Sequence, residues 1–544
     1  MRFRYLALLF LITIVISTIS SFVYVEKYRS FHSYVFDLGV SSYLISHALS
    51  TRPIVYWKLI YFLLYPFYSL DPNPEYLLVF QDFFISLGSI PIYFISKKIL
   101  NSEFFGFIFG ILWLLYYPIY GVEWFDFHFM ALFPTLFLTA VAFLSYKKYR
   151  FSLLFMFLSA ITDYMAPLII LMYLVVLLVK RERLPKYYYA SLVVPFFAVF
   201  AAVNIVSPSY TLSLINYTAI IKDPAIITSM PVRKIIYYPM IALPLAFLPF
   251  GSIDILMIIP YIGLSLVHNY APYLMPILYQ YPALTSAPIF LGALSSLSKC
   301  MKKISRKKVK SILIVIISLS IITFLLFTPY GNLLTDNNNH FNYVDYFVGG
   351  NYQTSERITE TKYDRYIYSA VSYVPKGSTL AIQNNMPQFT QDYRWVLPIN
   401  NYSGSPEYVI TDPYSVWFYN TTLSPGSYTN YVKFTNEKVL SGYGIYFECD
   451  GIVLLKKNYS GLPIKFVGMS FSSMSGSNLL FIAPGTYSVE VNSNVTRVYV
   501  LYGDNELSLP VSNGNFLFTT SVYLYNVTFT ARTNSVFSFT QITW

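Results

Sequence analysis

Residues 123–130 read EWFDFHFM and place Glu123, Asp126 and His128 within a long stretch of aliphatic and aromatic side chains. The apolar runs on either side approach the roughly 20 helical residues that cross a bilayer. Ionisable groups are costly in hydrocarbon, so they lie at the membrane edge or serve a function. This stretch therefore predicts two membrane helices joined by a turn that carries the ionisable groups.

The whole chain has the composition of a polytopic membrane protein. Of its 544 residues, 55% are hydrophobic and 12% are charged, and the mean hydropathy is +0.50. The net charge of +11 resides in short basic clusters between apolar runs, at residues 2–4, 97–98, 147–150, 180–186 and 299–310. Such clusters are typical of cytoplasmic loops, so we expect membrane lipids and no nucleic acid as partners.

Placing every basic cluster in the cytoplasm predicts about eleven crossings, with the N-terminus inside and the C-terminus outside. The predicted crossings are 5–24, 76–96, 103–120, 128–146, 151–163, 165–179, 187–206, 234–250, 254–267, 284–298 and 311–329. The run at 54–70 is short, carries Lys58 and contains Pro66, so we expect it to lie in the outer interface. The first run lacks a small-residue cleavage site and is expected to be retained; a cleaved signal peptide is the alternative.

After about residue 330 the pattern changes to short alternating runs separated by Gly, Asn, Ser and Pro. Residues 331–460 mix a predicted helix with strands and indicate an extracellular α/β domain, whereas residues 461–544 alternate with period two and indicate a β-sandwich. The fold class is therefore a mainly α polytopic membrane domain at 1–330 followed by these two domains. Cys300 and Cys449 fall on opposite sides of the membrane, so we expect no disulfide between them.

The six glycosylation sequons all fall on the predicted outer side, in agreement with a cell-surface glycoprotein. They begin at Asn216, Asn401, Asn420, Asn458, Asn494 and Asn526.

This topology places three aspartates on the outer side, Asp37, Asp126 and Asp163, which are spread over more than a hundred residues of the sequence. Asp163 stands at a turn between two short apolar runs, and short helices leave room for a cavity, since irregular backbone is tolerated only where protein or water surrounds it. We therefore predict an outward-opening polar pocket lined by these acids and His128. The alternative is that each acid only caps a helix.

Several segments resemble one family of membrane proteins. FDLGVSSYLISH (36–47), FDFHFMALFPTLFLTAVAF (125–143), QYPALTSAPIFLGAL (280–294) and PEYVITDP (406–413) are similar, in content and order, to domain-of-unknown-function family 2079, predicted membrane proteins of archaea and bacteria. That family is similar in turn to the GT-C glycosyltransferases, which take sugars from polyprenyl-phosphate carriers. Their hallmark is an acid in the first external loop followed by an interfacial helix, matched here by Asp37 and residues 54–70. This chain departs from the pattern, since Asp37 stands alone and Thr162 precedes Asp163 where relatives carry a Lys.

The resemblance implies transfer of a sugar from a polyprenyl phosphate to a glycan or protein acceptor. Such transfer needs a base near the acceptor hydroxyl and positive charge near the departing phosphate. We expect Asp37 to be the base, with Asp126 and Asp163 as further catalytic candidates. Asp126 and His128 are candidate ligands for Mg²⁺ or Mn²⁺.

External basic residues are scarce and are candidate phosphate ligands, with snorkelling toward lipid headgroups as the alternative. The substrate-binding candidates are His128, Arg52, Arg233, Lys234 and Tyr281. Two other readings stay open at this point: a transporter or lipid-handling protein that uses the acids as ion sites, and a non-catalytic surface anchor or receptor.

Overall fold

The computed structural model describes the chain in segments. They are residues 4–49, 60–206, 229–268, 270–277, 279–328, 360–396, 404–412, 437–449, 452–466, 470–474, 478–482, 485–491, 495–502, 505–521, 524–530 and 536–543. Two compact units emerge from the contacts. Met1–Val25 and Ser41–Arg357 form the helical unit, and Glu26–Val40 and Ile358–Trp544 form the sheet unit. The predicted domain limits at residues 330 and 460 stay a prediction.

The helical unit consists of consecutive apolar helices. They are α1 (Arg4–Arg29, whose last residues belong to the sheet unit), α2 (Val40–Ser46, whose first residue does), α3 (Ile60–Tyr68), α4 (Pro74–Ser86), α5 (Ser89–Leu100), α6 (Glu103–Leu114), α7 (Tyr117–Trp124), α8 (Phe133–Ser145), α9 (Tyr149–Ala160), α10 (Ala166–Val179), α11 (Lys186–Val206), α12 (Pro231–Ala242), α13 (Ile259–Val267), α14 (Ala283–Met301) and α15 (Arg306–Phe327). Each predicted crossing coincides with one or two of these helices. Within the described residues, three helices are long and apolar enough to span a membrane: Arg4–Arg29, Pro74–Leu100 and Lys307–Phe327.

Several of the other apolar runs are broken by proline. The pair α6 and α7 passes the same test as one span bent by 43°, and Pro118 stands in the first turn of α7. Beyond α12 the chain forms two 3₁₀ turns, Leu243–Leu245 and Leu248–Gly251, each with a proline at its start. Proline lacks the N–H that an α-helix interior requires, so these runs are segmented.

The core of the helical unit is built around large buried aromatic residues. The Trp113 indole donates to the Ile85 carbonyl oxygen at 3.0 Å, and its ring contacts Phe290 edge-on at 5.0 Å between centroids. A Cβ at Gly88 would lie 2.7 Å from that indole, so only glycine allows this approach. This packing fixes α4, α6 and α14 against one another.

The sheet unit contains a six-stranded mixed sheet with α16 (Lys362–Val371) packed on it. The strands are β1 (Thr379–Ala381), β2 (Arg394–Val396), β3 (Tyr408–Thr411), β4 (Tyr443–Cys449), β5 (Ile452–Lys457) and β6 (Lys465–Phe466), in the order β2-β1-β3-β5-β4-β6. Strands β1, β2 and β3 are parallel, whereas β5 is antiparallel to both β3 and β4. The helix and strands of the predicted α/β region therefore lie where the sequence indicates them.

The predicted β-sandwich is also found. Its strands are β7 (Ser470–Met474), β8 (Asn478–Ile482), β9 (Gly485–Val491), β10 (Arg497–Tyr502), β11 (Asn505–Pro510), β12 (Asn515–Thr520), β13 (Leu524–Thr530) and β14 (Val536–Thr543). They form one sheet in the order β11-β10-β13-β8 and a second in the order β12-β9-β14-β7. Phe516 and Phe518 of one sheet contact Phe529 of the other, with ring centroids 6.3 and 5.6 Å apart.

Candidate functional site

Asp37 lies in a short π-helical turn, Val35–Gly39, which belongs to the sheet unit. Asn384 holds the start of this turn, because its backbone oxygen accepts from Val35 N at 2.6 Å and its side-chain oxygen accepts from Phe36 N at 3.2 Å. Single π turns are rare and frequently occur at functional sites. The Asp37 side chain is half-buried.

Hydrophobic packing fixes the remainder of this turn. Val35 and Leu38 are fully buried, and Val35 shares the core of the sheet unit with Ile367 and Leu380. A Cβ at Gly39 would lie 2.8 Å from Thr390 Cγ2, so the turn approaches the β1–β2 connection as closely as glycine permits. The motif FDLG thus has a structural explanation in which Asp37 is the ionisable member of a rigid turn.

Asp126 and His128 lie on an extended segment between α7 and α8 in the helical unit. Gln81 of α4 holds this segment: its Oε1 accepts from His128 N at 2.8 Å, and its Nε2 donates to the Val122 and Phe125 carbonyl oxygens at 3.3 and 3.4 Å. The His128 Nδ1 lies 3.0 Å from the Asp126 carbonyl oxygen. Asp126 is completely buried, and His128 is partly exposed.

These two residues suit metal ligation only in part. A carbonyl oxygen can only accept, so in the neutral ring His128 Nδ1 donates to Asp126 and Nε2 carries the lone pair, which is a tautomer common among metal-binding histidines. Across the described segments, however, no group of three or more His, Cys, Asp and Glu side chains gathers in metal-binding geometry. The divalent ion stays a prediction.

Asp163 lies at the turn before α10. Its Oδ1 accepts from Met165 N at 2.8 Å, and the residue is buried. Through this contact Asp163 forms an Asx turn in the residues before α10, whose N-cap residue is Met165. Its charge also acts on Tyr273, whose pKa is raised first by burial and further by Asp163.

Tyr281 lies beside Tyr273, with ring centroids 4.5 Å apart. Other residues of the same segment meet the Asp126 region: Tyr279 contacts Phe125 at 5.1 Å, and a Cβ at Gly121 would lie 2.7 Å from the Ile277 backbone. The chain between α13 and α14 therefore adjoins both Asp163 and the segment that carries Asp126 and His128.

The basic candidates occupy different surroundings. Lys234 is buried and donates to the Leu266 carbonyl oxygen at 3.1 Å, so its ammonium group already has a partner in the protein. Arg233 is half-exposed, with Nη1 3.7 Å from Met230 Sδ. Arg52 falls outside the described residues.

Sequence reasoning assigned no role to a pair of buried carboxyl groups, Asp82 of α4 and Glu123 of α7. Ser21 Oγ donates to Asp82 Oδ2 at 2.5 Å, and Tyr24 OH donates to Glu123 Oε2 at 3.1 Å. The two carboxyl groups are within hydrogen-bonding reach of each other, and Asp82 Oδ1 receives no N–H or other hydroxyl donor from the described residues. A carboxyl–carboxyl hydrogen bond requires a proton on one of the two. The signal available in the sequence was an acid within an apolar helix, in VFQDFF.

Comparisons with known proteins match this architecture to one family. The profile of the family described as predicted membrane protein, DUF2079, matches residues 55–454. No curated protein matches the chain. Among solved structures, the oligosaccharyltransferase of Archaeoglobus fulgidus, crystallised with a tethered acceptor peptide containing an NVT sequon, is similar over 98% of this chain and 97% of its own, at 9% identity and a TM-score of 0.37.

Proposed function

Since the chain belongs to the DUF2079 family of predicted membrane proteins, we propose that it is a membrane-embedded glycosyltransferase. It would move a sugar from a polyprenyl-phosphate carrier to a glycan or protein acceptor at the external membrane face. The proposal includes the multi-pass topology of about eleven crossings, with the N-terminus in the cytoplasm and the sheet unit outside.

Polar contacts between helices support this topology, because each joins residues assigned to the same side. On the cytoplasmic side, Lys97 pairs with Glu103 at 2.6 Å and Lys180 pairs with Asp254 at 2.6 Å.

On the external side, Tyr24 meets Glu123 at 3.1 Å and Lys234 meets the Leu266 carbonyl oxygen at 3.1 Å. An odd error in the number of predicted crossings between two paired residues would put them on opposite faces of the membrane.

The observation that carries the proposal is the rigid placement of Asp37. A carboxylate is useful as a general base only if the reacting hydroxyl finds it in a fixed position. The two hydrogen bonds from Asn384 and the close approach of Gly39 to Thr390 hold the Asp37 turn, while its side chain keeps access to solvent.

The proposed reaction is a displacement at the anomeric carbon. The acceptor oxygen forms a bond to that carbon, the bond from the carbon to the phosphate oxygen breaks, and the hydroxyl proton passes to Asp37. The polyprenyl phosphate leaves with the bonding electrons, and a cationic side chain would stabilise its charge. Arg233 and Arg52 stay candidates for that cation, and Asp126 and His128 stay candidate ligands for a divalent ion.

Asp37→Asn is the direct test. We expect the purified variant, reconstituted in vesicles with radiolabelled polyprenyl-phosphate hexoses and an acceptor-bearing membrane extract, to lose transfer by about a hundredfold or more, since a general base contributes 10²–10⁴. Asp71→Asn is the matched control: Asp71 is an exposed acid on the same predicted side, paired with Tyr76 OH at 2.8 Å. Normal transfer by the Asp37 variant would remove Asp37 from the mechanism.

The buried pair Asp82–Glu123 favours a second candidate function, transport coupled to a proton or cation. Paired acids within membrane helices are typical of such relays. Glu123→Gln would then abolish proton-driven uptake into vesicles while Asp37→Asn would not. In the transferase, Glu123→Gln leaves the chemistry intact.

A further inference from the structure

The six-stranded sheet of the sheet unit has a topological switch point between β1 and β3. From β1 the chain passes to β2 on one side, and from β3 it passes to β4 and β5 on the other. Because β1, β2 and β3 are parallel, their carboxyl ends meet at one edge. In open sheets of this kind, the crevice at such a point is where ligands bind.

The residues at this switch point are amides. Gln383 follows β1, and its Nε2 donates to the backbone oxygen of Asp412, the residue after β3, at 3.2 Å. This bond crosses the switch point and identifies which end of the amide is the oxygen. Gln383 and Asn385 are 0% and 2% exposed, yet Gln383 Oε1 and Asn385 Oδ1 accept no hydrogen bond from the described residues.

Such unpaired acceptors are costly. A buried acceptor without a donor destabilises a protein by about 1–3 kcal/mol, so native structures contain few of them. Asn384, between the two, is satisfied: it holds the Asp37 turn through its backbone and side-chain oxygens. One three-residue stretch after β1 therefore carries both the anchor of Asp37 and two oxygens in need of donors.

We infer that the carboxyl edge at β1 and β3 binds the hydroxyl groups of a neutral saccharide through the amide oxygens of Gln383 and Asn385. Amide oxygens are neutral acceptors, and hydroxyl groups supply the donors that both lack. The choice of a saccharide as ligand rests on the proposed function, in which an acceptor hydroxyl must reach Asp37. The binding site itself rests on the geometry of the sheet.

Saccharide binding to the full-length protein in detergent tests the inference. The probes are maltotriose, mannotriose and N,N′-diacetylchitobiose, measured by saturation-transfer NMR and titration calorimetry. We expect at least one of these probes to bind. Gln383→Met and Asn385→Leu should each weaken the binding of that probe by about tenfold, the change that 1.4 kcal/mol produces. Thr411→Val is the matched control, because Thr411 is buried at the end of β3 and its hydroxyl donates to the Val453 carbonyl oxygen at 3.2 Å, so binding should persist.

Two results would overturn the inference: the amide variants binding as tightly as the natural protein, or stabilisation by Ca²⁺ alone with none of the three probes bound. Asp37→Asn separates this site from the transferase proposal, since that variant should still bind the saccharide. Binding that depends on Gln383 in a protein that transfers no sugar would leave the site standing and reject the transferase. Transfer with an unchanged acceptor KM in Gln383→Met would reject the site alone.

Discussion

At the scale of single residues, Gln81 and Asp82 show how neighbours on one helix serve different purposes. Gln81 forms hydrogen bonds with three backbone groups, and these bonds hold the segment before His128 in place. Asp82 faces Ser21 and Glu123 instead. If one proton is shared between Asp82 and Glu123, an amide in place of Asp82 can donate to Glu123 and still accept from Ser21.

Asp82→Asn should therefore change the stability little, whereas Asp82→Leu should destabilise the helical unit by about 1–3 kcal/mol because Glu123 loses its buried partner. Thermal unfolding in detergent, followed by tryptophan fluorescence, measures both. Glu103→Gln is the control; its pair with Lys97 is partly exposed, with side chains 27% and 34% accessible, so the loss should stay below about 1 kcal/mol. Equal losses of stability in Asp82→Asn and Asp82→Leu would contradict a proton shared between Asp82 and Glu123.

At the scale of elements, helix α16 carries a titratable cap. Thr361 N and Oγ1 donate to Asp364 Oδ2 at 2.6 and 2.8 Å, and Thr361 Oγ1 accepts from Asp364 N in return. Burial raises the pKa of Asp364 above its ordinary value of 3.8, against the effect of the Thr361 hydrogen bonds. The folded protein therefore keeps this proton to a higher pH than the unfolded chain.

The stability that this group contributes is complete below pH 3.8 and is lost as the pH rises through the higher folded pKa. We expect Asp364→Asn to flatten the pH dependence of the unfolding free energy of the sheet unit in the range above pH 3.8. Pulse proteolysis with mass spectrometry of sheet-unit fragments provides the readout. Asp392→Asn, which removes an exposed partner of Lys376, is the control and should leave the slope of unfolding free energy against pH unchanged. Equal slopes for Asp364→Asn and the natural protein would refute the role of Asp364 in this pH dependence.

The π turn offers a second test on an element. Gly39→Ala brings a Cβ to 2.8 Å from Thr390 Cγ2 and should destabilise the turn by about 1–3 kcal/mol. Adding Thr390→Ser removes that methyl group and retains the hydroxyl that donates to the Pro387 carbonyl oxygen at 2.9 Å. The double variant should therefore recover the stability of the turn. Hydrogen exchange of residues 35–40 reports the effect. Gly263→Ala, with no atom within 4 Å of the new Cβ, is the neutral control.

Elements were predictable where the deciding information is local. Apolar runs predicted the helices of the helical unit, and the helix predicted in the α/β region corresponds to α16, which begins at a capping box of Thr361 and Asp364. The breaks after Leu114 and Ala242 follow from prolines, yet their bend angles depend on packing.

The contacts that define the candidate sites are distant in sequence. Asp82 meets Ser21 across 61 residues, and Phe36 meets Asn384 across 348. No local pattern encodes such pairs, which is why the sequence alone predicted Asp37 and Asp126 as candidates but neither the anchor of the first nor the acid pair near the second.

At the scale of the whole molecule, the chain consists of an apolar helical unit and a sheet unit. The family match at residues 55–454 extends across both units and covers the helices from α3 onward and the strands β1 to β4, ending within β5. Asp37 precedes the matched residues, although its turn is anchored on Asn384 within them. The external location proposed for the sheet unit is the premise on which the transferase, and with it the choice of a saccharide as ligand, depends.

The two natural cysteines test that premise. Cys300 is partly exposed at the end of α14 that the proposed topology assigns to the cytoplasm, and Cys449 is completely buried in β4. In intact cells a membrane-impermeant maleimide should therefore label neither, and opening the membrane should expose Cys300 alone. In a Cys300→Ser background, Leu440→Cys should be labelled from outside at once, because Leu440 is 81% exposed in the sheet unit. Labelling of Cys300 in sealed cells, or protection of Leu440→Cys until lysis, would invert the topology and place Asp37 and the β1–β3 edge on the cytoplasmic side, away from any external acceptor.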